Sequence, residues 1–343
     1  MNGTIPTIVR PMRNDGLKIP IQGLPSRIEP IYAVIICKSL IFLIITVIVG
    51  LLPLQAGADW SPLIDRLVRD GHDEMTVRTL FARPEVRFDP DPMSQKIESL
   101  VRRQSRKPSD EQYEKSRAIY KGYLKPEVID RAYVYSRENK DILKKMQEKY
   151  CVPSEVVVSI MLVETGLGRN TGSRKAFNVL ASMAVARELE TIRPFLDREL
   201  LTSSNEEYAQ RRCREKADWA YHELKSLILY AEKNNMDPLE IPGSIYGAIG
   251  LCQFMPSNVS AYGVDTDGDG RIDLFAKDDA LHSIGKYLNR HGWKCGMTRK
   301  RQHQVVMAYN HSRIYANTVL SIAEKLRSKA RSEKHRAWQD DRS

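Results

Sequence analysis

One glutamate stands at the end of an oily run. In Ile160-Met161-Leu162-Val163-Glu164-Thr165-Gly166-Leu167-Gly168, the carboxyl of Glu164 follows apolar side chains and precedes a glycine-containing turn. Burial disfavours a charged carboxylate and raises its pKa. If 153–163 is helical, the negative end of that helix pushes the same way. A carboxyl poised near neutrality is what a general acid needs. These residues alone leave a plainer reading open, in which the glutamate reaches solvent where the helix stops.

Three further segments carry polar groups at informative spacings. Gly243 to Ser257 places glycines at 243, 247 and 250 beside Ser244 and Gln253. Glycines let a backbone come close to a neighbour, which is either a ligand or a packed helix. The amide of Gln253 both donates and accepts, which suits a sugar. The phosphate-loop reading is weak, since there is no Gly-Lys-Ser/Thr and no preceding strand. Asp265, Asp267, Asp269 and Asp273, with Gly270 between them, follow the alternation of a calcium loop. Arg271 would offer only its backbone carbonyl. Ala276 stands where the bidentate glutamate belongs, and Asp279 is the late substitute. A solvated acidic turn is the alternative. Tyr309-Asn310-His311-Ser312 places aromatic and amide groups ahead of a helix, where Asn310 also suits a cap.

The elements that must position these groups are helical. Tyr113, Arg117, Tyr120 and Leu124 recur at helical steps, and Pro126 opens a second run through Met146. Residues 153–163 are apolar throughout, and their β-branched content leaves helix and strand both open. Ala217, Tyr221, Leu224 and Ile228 mark a buried stripe on a helix over 206–234. Helices are also predicted over 277–291 and 314–328, with a charged tail from Lys325 that frays. Strand signals are sparse, so the fold class is mainly α.

The chain has 343 residues and a formal charge of +10, which points to an anionic partner: nucleic acid, membrane surface or acidic glycan. Leu40 to Leu52 carries no charge, Lys38 precedes it, and Ala56-Gly57-Ala58 follows. That pattern predicts a cleaved secretory signal, with an uncleaved anchor through residues 31–52 as the alternative. Cleavage after Ala58 leaves Cys151, Cys213, Cys252 and Cys295. An oxidising compartment permits disulfides among them, and the sequence leaves all three full pairings open. No cysteine or histidine spacing fits structural zinc.

In order, these segments resemble the lytic murein transglycosylases of the membrane-bound B type, within the lysozyme-like superfamily. Val163-Glu164-Thr165 is similar to that family's catalytic segment, and Gly247 through Ser257 to its Gly-Ala-x-Gly-x-x-Gln-Phe-Met-Pro-Ser segment. Asp265, Asp267, Asp269 and Asp279 are similar to its calcium loop, and Tyr309 through Ser312 to its Tyr-Asn-x-Ser segment. Tyr287 matches a tyrosine in the helix after the loop, and the likeness spans about residues 120 to 325. Cys252 departs from the expected small residue, and Tyr120 is the nearest counterpart of an upstream sugar-contacting tyrosine.

The resemblance implies a lysozyme-like helical catalytic domain over 110–328 with an EF-hand-like calcium loop. A helical segment over 59–109, the N-terminal 58 residues and a tail over 329–343 complete the layout. It implies cleavage of the β-1,4 bond between N-acetylmuramic acid and N-acetylglucosamine to give 1,6-anhydromuramyl ends. Glu164 would be catalytic. Ser244, Gln253, Tyr287, Tyr309 and Asn310 would bind substrate. Asp265, Asp267, Asp269, Arg271 and Asp279 would hold a structural Ca²⁺, with no organic cofactor. The partner would be peptidoglycan strands and not nucleic acid, met by an exported, periplasmic monomer with an optional membrane anchor. A lysozyme-type hydrolase and a non-catalytic glycan-binding protein remain as alternatives.

Overall fold

Apolar residues at helical spacing dominate the chain, and helices are what it forms. The computed structural model describes residues 58–104 and 118–340. The predicted signal or anchor lies outside the described residues. Among the described residues, no helix is long and apolar enough to cross a membrane. The helices are α1 (Ser61–Arg69), α2 (Glu74–Phe81), α3 (Asp91–Gln104), α4 (Pro126–Glu138), α5 (Lys140–Tyr150) and α6 (Ser154–Thr165). They continue with α7 (Ala176–Val185), α8 (Glu206–Lys233), α9 (Pro256–Tyr262), α10 (Lys277–Arg290), α11 (Arg299–Tyr309) and α12 (Arg313–Asp340). The described strands are β1 (Arg174–Lys175) and β2 (Pro242–Gly243), which pair antiparallel with Arg174 opposite Gly243.

The open choice at 153–163 resolves to helix. Val156 through Leu162 are all buried, so α6 is apolar on every side. It is enclosed by α4, α5, α10 and α12. A helix hydrophobic all round belongs inside a core, and that burial overrides the strand preference of its valines. Each buried Val or Leu there contributes about 1.5–3 kcal/mol. Glu155 occupies the first turn, facing the positive end as expected.

Three boundaries differ from the sequence reading. The run opened by Pro126 divides at Asn139, whose side-chain amide donates to the Tyr135 carbonyl and ends α4. Tyr120 does not continue a helix; Lys121–Leu124 form a single 3-10 turn, and Tyr113 and Arg117 lie outside the described residues. The tail expected to fray after Lys325 instead extends α12 to Asp340. Its Lys, Arg, Ala and Glu are good helix formers, and Lys329 reaches Asp130 at 3.1 Å.

The open cysteine pairing resolves to Cys151–Cys295, with Cα atoms 5.0 Å apart and a sequence separation of 144. It joins the end of α5 to the loop after α10. Cys213 and Cys252 are free and buried. Burial pushes both thiols up to about 12, which keeps them unreactive. Reduction, or Cys151→Ser with Cys295→Ser, is expected to lower unfolding stability by about 2–4 kcal/mol, because so long a loop regains its freedom when unfolded. Denaturant titration with and without reductant measures this, and overlapping curves would show that the crosslink carries no stability.

Candidate active site

Glu164 is the penultimate residue of α6, which stops at Gly166 in the left-handed region. The amides of Gly166 and Leu167 turn back onto the carbonyls of Leu162 and Met161, at 3.1 and 3.0 Å. This satisfies the end of the helix and lifts the next residues away from its axis. Thr165 completes the turn. Its hydroxyl donates to the Leu251 carbonyl at 3.0 Å and accepts from the Gly168 amide at 3.0 Å. The carboxylate is thereby tied to the glycine-rich loop.

Burial raises the Glu164 pKa to about 7, against the lowering effect of a hydrogen bond from the Tyr315 hydroxyl at 2.7 Å. Tyr315 itself is buried, and its own pKa is raised well above the ordinary phenol value, so it remains a donor. The acid inferred from the oily run is therefore present, and desolvation is its main cause. Glu164 opens onto a cleft of about 830 Å³ lined by Tyr120, Tyr123, Arg131, Arg169 and Asn170 among others. Glu164 is the only carboxylate among the described residues of that lining. The Tyr123 hydroxyl donates to the Val163 carbonyl at 3.3 Å.

Behind Glu164 lies an aromatic stack. Tyr309 and Tyr315 are parallel, 6.4 Å apart, and Tyr287 meets Tyr309 edge-on at 5.0 Å. The Tyr309 hydroxyl donates to the Cys252 carbonyl at 2.5 Å, and the Tyr287 hydroxyl to the Ala308 carbonyl at 2.8 Å. Both tyrosines thus spend their polar ends on the protein backbone. Tyr287 is buried and backs Tyr309.

The glycine loop is built for packing. A Cβ on Gly247 would meet Leu180 at 2.6 Å, and one on Gly250 would meet Leu274 at 2.5 Å. Both residues also have positive φ. Of the two readings of these glycines, close protein packing is the one the structure displays. Gln253 follows with φ of 50°, and its amide NH₂ donates to the carbonyls of Thr171 and Gly250. Two carbonyl partners fix that side of the amide as nitrogen, which leaves its oxygen as the acceptor. Ser244 accepts from the amides of Tyr246 and Ala248 and so holds the loop's turn. Asn310 is exposed and ends α11, while Ser312 accepts from the Tyr315 amide and caps α12. The cap expected of Asn310 falls on Ser312.

Asp265, Asp267 and Asp269 bring carboxylate oxygens within 4.8 Å of one another. Three such charges repel unless a cation or hydrogen bonds intervene. The Gly268 and Gly270 amides already donate to Asp265, and the Arg271 amide to Asp269. Hard oxygen ligands in this arrangement fit Ca²⁺. Asp279 stands apart from the trio. It accepts from the Thr266 amide at 2.9 Å and the Asp273 amide at 2.8 Å, closing the loop's two ends.

Tyr315 and Thr165 escaped sequence reasoning as site residues. Thr165 sits in the quoted segment, where its spacing from Glu164 gave a signal. Tyr315 lies three residues beyond the Tyr309–Ser312 segment, and only the packing of α12 on α6 reveals it.

A sequence-family profile described as "Transglycosylase SLT domain" matches residues 55–302. The chain is 31% identical over 176 residues to the membrane-bound lytic murein transglycosylase B of Escherichia coli, covering 51% of this chain and 42% of that protein. The match thus spans less than half the length of that relative. Among solved structures, the E. coli lytic transglycosylase SLT35, obtained with bulgecin A and with calcium, aligns at TM-score 0.59 and 21% identity. That alignment covers 80% of this chain and 96% of SLT35. Soluble lytic transglycosylase SltB1 of Pseudomonas aeruginosa aligns at TM-score 0.58 and 23% identity, covering 78% of this chain and 98% of SltB1. These likenesses establish a mainly α, lysozyme-like fold.

Between the ordinary carboxyl value of 4.5 and about 7, folded Glu164 holds a proton that the unfolded chain has released. Stability therefore falls as pH rises through that window. Glu164→Gln removes the effect, so its stability relative to the native chain is expected to rise between pH 5 and pH 8. The gain is about 2 kcal/mol, allowing for the open side of the cleft. Tyr315→Phe should move the Glu164 midpoint further up. Urea titrations at both pH values, with side-chain NMR of Glu164, read these shifts; a pH-independent difference would place the midpoint elsewhere.

Proposed function

This chain belongs to the transglycosylase SLT domain family, and from that premise we propose that it is a lytic transglycosylase of peptidoglycan. The observation that carries the reading is a single carboxyl, Glu164, raised to about 7, without a second carboxylate among the described lining residues of its cleft. Glycosidases that use water usually employ two carboxyls. One carboxyl suffices if the substrate supplies the nucleophile.

Protonated Glu164 gives its proton to the leaving glycosidic oxygen. The 2-acetamido group of N-acetylmuramic acid stabilises the positive charge that develops at C1. Glu164, now a carboxylate, takes the proton from the muramyl C6 hydroxyl as that oxygen bonds to C1. The products are a free N-acetylglucosamine 4-hydroxyl and a 1,6-anhydromuramyl end, and the proton returns to Glu164. The Tyr315 hydroxyl steadies the carboxylate between the two transfers. Gln253 offers its oxygen to the sugar, and exposed Asn310 its amide. Ser244 shapes the loop, and Tyr287 and Tyr309 support it from behind.

Asp265, Asp267, Asp269, the Arg271 carbonyl and Asp279 form the proposed calcium loop, in a structural role. Bound Ca²⁺ would neutralise the converging carboxylates and so fix the start of α10. The Cys151–Cys295 disulfide supports an exported, periplasmic setting. Leu40 to Leu52 serve there as the core of a cleaved signal, or residues 31–52 as an uncleaved anchor.

Digestion of sacculi with the full chain should yield anhydromuramyl products by mass spectrometry. Reducing ends alone would support the hydrolase instead. Glu164→Gln should lower turnover at least about 10³-fold, and the native rate should decline as pH rises past about 7. Millimolar Ca²⁺ should raise the melting temperature of the native chain but not of Asp265→Ala. Equal melting in both would remove the metal from the account.

A further inference from the structure

The fold pairs partly buried cations with carboxylates: Arg66 with Asp218, Arg83 with Asp237, Lys225 with Asp70. One group is treated differently. Lys96 stands on α3 and Lys216 on α8, two helices that pack together, and the two ammonium groups are near enough to repel. Neither lysine has a carboxylate partner among the described residues. Burial lowers the Lys96 pKa first, and repulsion from Lys216 and Arg103 lowers it further. Burial likewise lowers Lys216, followed by repulsion from Arg212. The Nε of Arg212 is buried without a hydrogen-bond partner, and Glu215 is shared between Arg211 and Arg212. Glu215 is thus the one carboxylate set against Arg211, Arg212 and Lys216; holding half-buried like charges together with so little counter-charge is unfavourable, and an incoming anion would relieve it.

The aromatic side of the group gives it a direction. Lys96 Nζ lies 3.7 Å from the ring centroid of Tyr246. Tyr246 belongs to the loop that runs from Ser244 to Gln253, and its amide donates to Ser244. The same loop receives the Thr165 hydroxyl beside Glu164. An anion held at Lys96 would therefore press on the loop that carries the proposed glycan contacts. In peptidoglycan the anions are the carboxylates of the peptides hung on each muramyl residue.

We propose that Lys96, Arg103, Arg212 and Lys216, with Tyr246, form a subsite for the carboxylates of peptidoglycan stem peptides. This rests on the reading of peptidoglycan as substrate. Its test is therefore a binding measurement, with cleavage assayed separately. The probes are purified glycan strands bearing their peptides, and the same strands stripped of peptides by an amidase. They are titrated onto the full chain carrying Glu164→Gln, with and without Lys96→Gln and Lys216→Gln. The parent should bind peptide-bearing strands more tightly, and the double lysine change should weaken that binding about tenfold. Binding of stripped strands should stay unchanged. Lys96→Arg should retain the preference, and added salt should erode it. Melting temperature should hold or rise in the double variant, since repulsion is relieved.

Equal weakening on both strands, or none, overturns the subsite. So does a loss seen only with vesicles of anionic lipid, which would assign the group to a membrane surface. A peptide preference without any cleavage by the native chain would keep the subsite and refute the transglycosylase reading. Cleavage without a peptide preference would do the reverse.

Discussion

Keeping one carboxyl out of water, yet at the wall of an open cleft, is the constraint around which this molecule is arranged. Desolvation alone would leave Glu164 neutral and inert. The Tyr315 hydroxyl offsets part of it, and the result is a group near pH 7. That balance requires α6 to be apolar on every side and to end abruptly. The left-handed turn at Gly166 and the Thr165 bond to Leu251 supply the ending. A longer helix would bury the carboxyl further, and a frayed one would hydrate it.

Much of this was legible in the residues. The oily run gave the burial of Glu164, and burial gave the direction of its pKa. Helices over 206–234 and 277–291 came close to their limits, because stripes at helical spacing report directly on which face is buried. The segment 153–163 was ambiguous for a physical reason. A fully enclosed element has no polar face, so its period disappears, and only its neighbours decide between helix and strand. Tyr315 was illegible for another reason. Its meaning lies in the crossing of α12 over α6, a contact across 151 residues of chain. The tyrosines at 287 and 309 were singled out in the sequence, but not the contacts they make. Sequence offers a hydroxyl, while packing determines that the hydroxyl goes to a carbonyl.

Helix α10 is the strut on which the site leans. At its first turn Asp279 clasps both ends of the acidic loop. Midway, Lys286 donates to the Gly263 carbonyl, and Tyr287 props Tyr309. Just past its end, Cys295 is bonded to Cys151. A helix held at both ends and along its length carries little freedom to the aromatic stack, and hence to Tyr315 and Glu164.

The Cys151–Cys295 bond also has a consequence for the chain's history. In a chain that leaves the membrane N-terminus first, Cys151 emerges with 144 residues to go before its partner. Cys213 and Cys252 arrive in between. Oxidation in order of appearance would close the wrong ring and trap thiols that belong in the interior. The native ring is a non-consecutive one, reached by waiting or by exchange. The native ring therefore requires that Cys213, on α8, and Cys252, in the glycine loop, be buried in the interior and kept out of oxidation.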